Sequence, residues 1–137
     1  MDYLKDENEL FRQWSIYDMT LGNIAIIVVA IIINVYYINV EKIKTLDSIY
    51  STNNSQYYPD VSVIPKIASV MFLYVAIIFV IMNYKNYEIN ISQESIKEEE
   101  DIESAYNSLL ASFFVTIAAI ITYYNVWKIP VKLILLN

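Results

Sequence analysis

The chain has 137 residues, of which 57% are hydrophobic and only 18% charged, with 1 Gly, 3 Pro, no Cys and no His. A soluble domain averages about 45–50% apolar and about 25% charged residues, so the surplus points to a bilayer. Without Cys or His there is no disulfide, thiolate nucleophile, imidazole base or zinc site built from those ligands, and one glycine does not make a phosphate-cradling loop. A net charge of −6 argues against a nucleic-acid partner, which calls for a basic face.

Residues 1–18 carry a helical apolar face. Leu10, Phe11, Trp14, Tyr17 and Leu21 recur at spacings of three and four, while Asp2, Lys5, Asp6, Glu9 and Arg12 fall largely elsewhere. This predicts an amphipathic helix that lies in the interface or runs straight into the next segment. Membrane-seeking helices of this kind usually have a basic polar face; this one is acidic, so docking beside its own bundle is expected.

Three charge-free runs follow: Met19–Val40, Ile67–Tyr84 and Ser104–Trp127. As helices they measure about 33, 27 and 36 Å, against a hydrocarbon core of about 30 Å. Helices buried in a soluble bundle keep a polar stripe, and the run from Ile24 to Ile33 has none. An acidic segment before the first run, and Asn-Val-Tyr-Tyr after Ile33, do not fit a cleaved signal peptide. Aromatic residues mark the ends: Trp14 and Tyr17, Tyr36 and Tyr37, Tyr57 and Tyr58, Tyr84 and Tyr87, Tyr106, then Tyr123, Tyr124 and Trp127. Such residues collect at headgroup level. The expected fold is all-α: three transmembrane helices in an up-down-up bundle, with the N-terminal amphipathic helix.

The expected segments are spans at 19–40 and 65–84, a polar loop at 41–64, a connector at 85–95 and a long helix at 96–128. Pro65 suits the first turn of the second span, where its missing N–H costs nothing. Ser95-Ile96-Lys97-Glu98 has the pattern of a capping box. Glu98, Glu99, Glu100 and Asp101 form an acidic surface at a helix start, where acids are favoured. They read as a solvated helix beginning, or alternatively as a docking surface or cation-attracting mouth. A calcium loop is disfavoured because its spaced ligands and turn glycine are missing. Pro130 is expected to end the last helix, leaving 129–137 as a short apolar tail in the interface.

Near the membrane, one side has Arg12, Lys85 and Lys97; the other has Lys42, Lys44, Lys66, Lys128 and Lys132. The positive-inside rule puts the second side in the cytoplasm and the N-terminus outside. No charge lies within any span, which disfavours proton coupling and voltage sensing. Among neutral polar residues, Asn34 is expected to pair with Ser69, Tyr74, Thr116 or Thr122, which lie at reachable depth. An unpaired amide in hydrocarbon costs several kcal/mol, roughly. Ser108, Ser112 and Thr116, four apart, form a small-residue face of the kind that lets helices approach closely.

These features favour a non-enzymatic multi-pass membrane protein that needs no cofactor. It would act in the lipid bilayer through a protein partner or as a homo-oligomer, as an accessory, immunity or exclusion, or viral membrane component. Small size, three spans and an outside N-terminus resemble the three-span holins in outline, which implies a pore-forming oligomer as the alternative. The basic tail many holins carry is reduced here to Lys128 and Lys132.

Overall fold

The computed structural model describes residues 2–92 and 99–134. The chain forms helix α1 (Asp2–Tyr50), a single 3-10 turn (Asn54–Tyr57), helix α2 (Ile64–Ser92) and helix α3 (Glu99–Ile134). All three helices are long and apolar enough to cross a membrane, at about 74, 44 and 54 Å. The fold is all-α, as the charge-free runs predict.

Several boundaries differ from expectation. The amphipathic segment is no separate element: it runs straight into the first span. Residues 41–50, expected in the polar loop, add nearly three turns to the same α1 helix, so the loop shrinks to 51–63. Glu, Lys and Leu are good helix formers, and Lys44 donates to Glu41 at 2.7 Å along the helix. Helix α1 stops at a Schellman-type end. Ser51 takes the left-handed conformation (φ 54°), and the Thr52 N–H donates to the Asp47 carbonyl at 3.1 Å.

Helix α2 likewise continues through Ser92, into the expected connector 85–95, because no Gly or Pro interrupts it. Helix α3 does not end at Pro130 but continues to Ile134. A proline removes one main-chain bond and bends a helix without having to end it, and long apolar helices accommodate this. The capping box at Ser95, the start of the expected long helix at Ile96, and the tail beyond Ile134 lie outside the described residues.

Helix α2 sits between the other two; α1 and α3 do not come within packing distance of each other among the described residues. The arrangement is therefore a row of three antiparallel neighbours and not a closed triangle. Seven-residue spacing governs each contact. Along α3, Ile102, Leu109, Thr116 and Tyr123, with Ala105, Ser112, Ala119 and Val126, form one buried to half-buried stripe. On α2, the buried row Ala68, Val75 and Met82 turns toward α1, and the buried loop residue Val61 continues its spacing. A second row, Ser69, Ala76, Asn83 and Asn90, turns toward α3. A seven-residue period is the signature of left-handed supercoiled packing.

This register brings the three charge-free runs level. Thr116 hydroxyl donates to the Ala76 carbonyl at 3.2 Å, and these two residues stand at the midpoints of the third and second runs. Asn23 donates to Met82 Sδ at 3.6 Å, and each lies about 10 Å from its own run's midpoint, on the same side. Packing between helices thus aligns the uncharged segments into one slab, with charges above and below it.

Candidate functional site

Most of the surface of this slab is bare. Helix α2 shows one uncovered stripe, Ile67, Val70, Tyr74, Ile77, Ile81 and Tyr84. Helix α1 shows another that begins above the slab, with Leu10, Trp14, Tyr17, Leu21, Ile24 and Val28. Within the slab such stripes have the length and composition of a membrane-spanning surface. The upper part of α1 is different. Leu10, Phe11 and Trp14 are 63–66% exposed, and counted along the helix they stand about 23–29 Å from the midplane, beyond a hydrocarbon half-thickness of about 15 Å. Among the described residues, the expected docking of this face against the chain's own bundle is not made: Trp14 is level with the end of α2 but turned away from it, and no described residue of another helix covers Leu10 or Phe11.

The predicted intramembrane polar set separates into parts. Asn34 is half-buried and makes no side-chain hydrogen bond among the described residues, so the expected pairing is not made. Ser69 donates to the Lys66 carbonyl at 2.8 Å and Thr122 to the Ala118 carbonyl at 2.9 Å, each within its own helix. Tyr74 lies on the bare stripe of α2. Only Thr116 bridges helices, and it divides its hydroxyl between the Ala76 carbonyl and the Ser112 carbonyl at 2.9 Å.

The small-residue face is corrected by the helical period. Ser112 (6% exposed) and Thr116 lie in the seam, flanked by Ala105 and Ala119. Ser108 is exposed, its hydroxyl bonds back to the Ser104 carbonyl, and only its main-chain oxygen meets α2, accepting from Asn83 at 3.3 Å. A spacing of four drifts off a contact stripe whose period is 3.5.

Two polar residues that bridge helices have no counterpart in the expected set. Asn23 is 5% exposed, and its amide donates to a thioether. Pairing polar with polar residues by depth overlooks such a bond, because the acceptor is a methionine. Asn83 donates to a carbonyl, which no sequence pattern displays. Between α1 and α3, over α2, lies an open groove of about 290 Å³ at slab depth, lined by Ile27, Phe72, Ala76, Phe79, Val115 and Ala119 among others. Its lining is almost wholly apolar.

Glu99, Glu100 and Asp101 form the exposed first turn of α3; Glu98 lies outside the described residues. Among the described residues, no three acidic side chains stand close enough to hold a metal ion. The opposite end has the most ordered polar cluster. Asp47 accepts from Thr52 Oγ1 at 2.6 Å, the Asn54 N–H at 3.0 Å and the Ser55 N–H at 2.6 Å. The Thr52 hydroxyl first, then the Ser55 and Asn54 bonds, hold its carboxyl well below the usual carboxylate range. Asp60 is lowered similarly by the Ser62 N–H and hydroxyl. These two carboxylates tie down the loop without offering a reactive group.

No protein-family model matches this sequence, and no curated protein or solved structure shows significant similarity to it.

Proposed function

We propose that the chain is a small, non-enzymatic multi-pass membrane protein that acts by assembling with a protein partner or with further copies of itself. The observation that carries this reading is the apolar face Leu10–Phe11–Trp14, exposed beyond the hydrocarbon slab in the N-terminal part of α1. Apolar side chains held in the aqueous or headgroup zone are stabilised by being covered. The span chemistry supports a structural role as well, since the polar groups there are neutral and bond to main chain or thioether.

In this reading the α1–α2 loop and the end of α3 face the cytoplasm, with Lys42, Lys44, Lys66 and Lys128 on that side, and the N-terminus lies outside. The apolar lining of the central groove favours assembly over a holin-like pore, because a water-filled path requires polar walls.

A photo-crosslinking residue at Trp14, in intact membranes, tests the proposal. One discrete protein adduct, abolished by Leu10→Asp, is expected. Labelling of lipid alone would refute it. For the pore alternative, dye uptake on expression is the corresponding measurement, and unchanged uptake is expected.

A further inference from the structure

We propose that Lys66, Trp127 and Lys128 bind the phosphodiester headgroup of an anionic phospholipid. Antiparallel packing brings the start of α2 beside the end of α3. There the Lys66 ammonium sits 5.4 Å from the centre of the Trp127 ring. Lys128 sits 5.1 Å from that of Tyr124, and Tyr123 packs against Trp127 at 5.6 Å. Both cations are thus held by aromatic faces and keep their N–H donors for another ligand.

Among the described residues, the carboxylates on this side are already engaged. Glu41 takes Lys44 at 2.7 Å. Asp47 takes the loop amides, and Asp60 takes Ser62. Among the described residues, neither Lys66 nor Lys128 has a carboxylate within ion-pair distance. The described residues thus leave both lysines open to an anionic ligand.

Depth identifies the anion as a lipid and not a free ion. Counted from the span midpoints, Lys66 stands about 14 Å and Lys128 about 19 Å from the midplane, the level of the glycerophosphate region. Phe113, Ile120 and Trp127 lie seven apart on one row of α3, and Val70 and Ile77 are exposed on α2. The α2 pair continues inward from Lys66 and the α3 row from Trp127, which together make an apolar wall for acyl chains. Basic sites between transmembrane helices recognise acidic headgroups through this combination.

The inference rests on the membrane placement proposed above. The test uses the full chain purified in a neutral detergent, exchanged into equal phosphatidylglycerol and phosphatidylcholine, with retained lipid counted by native mass spectrometry. Retention of phosphatidylglycerol over phosphatidylcholine is expected, falling roughly 5-fold for each lysine replaced in Lys66→Gln and Lys128→Gln. Lys42→Gln should leave the preference intact, and inorganic phosphate should not displace the lipid. Equal retention of the two lipids, an unchanged preference in the double variant, or displacement by inorganic phosphate would each overturn the assignment. Lys128 is exposed, so Lys128→Gln alone decides the matter should the double variant fail to fold. Recovery of the protein in the soluble fraction would instead overturn the membrane placement itself.

Discussion

Replacing Ser112 by leucine tests the packing of α2 against α3. Ser112 is 6% exposed, and its hydroxyl donates to the Leu109 carbonyl of its own helix at 2.6 Å. The side chain therefore contributes smallness to the seam and no bond across it. Leucine adds two heavy atoms where helices meet through Ala105, Ala119 and Ala76, and overpacking of this kind costs about 1–3 kcal/mol. That is about a 5- to 150-fold shift in the unfolding equilibrium. Ser112→Ala should be nearly neutral. Ser108→Leu should stay within about 0.5 kcal/mol, because the Ser108 side chain is exposed and only its carbonyl meets Asn83. The assay is reversible unfolding in mixed micelles followed by helicity. If Ser108→Leu costs as much as Ser112→Leu, or if Ser112→Leu costs nothing, the seven-residue seam is wrong.

The extent to which the sequence discloses this architecture follows from the physics of each feature. Charge-free runs are legible because a charge in hydrocarbon is costly, so the three long apolar helices show directly, though not where each helix ends. The contact faces are not. A helix that is apolar all round has no polar stripe to reveal its neighbour, and a four-residue spacing of hydroxyls in α3 imitates a seam whose true period is 3.5. The length of α1 is hidden for another reason. Glu41, Lys42 and Lys44 look like loop residues after a span, but they are helix formers, and the helix ends at Ser51, where a glycine is the usual marker. The Asn23–Met82 bond is invisible because methionine is counted as apolar.

Met82→Leu removes the acceptor of the buried Asn23 amide and should cost about 0.6–1.7 kcal/mol; adding Asn23→Leu should recover most of it, and a double-mutant cycle in micelles reads the coupling. Asn34→Leu should leave the thermal midpoint unchanged or raise it, since this half-buried amide has no side-chain partner among the described residues; a fall of several degrees would show a bond the structure lacks. The pH dependence of the loop follows from Asp47, whose folded carboxyl is lowered. Its stabilisation is fully present above the ordinary carboxylate pKa of about 3.9 and is lost as pH falls through the lower folded value. Hydrogen exchange at Asn54 and Ser55, whose N–H groups donate to this carboxylate, should therefore be slow at neutral pH and fast in Asp47→Ala; equal rates in both would remove Asp47 as the organiser of the loop.

The chain's lack of cysteine permits the most direct measurement of its placement: single cysteines at Glu7, Asn53, Glu100, Val29, Ile77 and Val115, probed with a membrane-impermeant thiol reagent from each side of sealed vesicles. Glu7 and Glu100 positions should label from one side, Asn53 from the other, and the three mid-span positions from neither. Labelling of Asn53 and Glu100 from the same side, or ready labelling at Val29, Ile77 or Val115, would contradict a three-span protein with level charge-free segments.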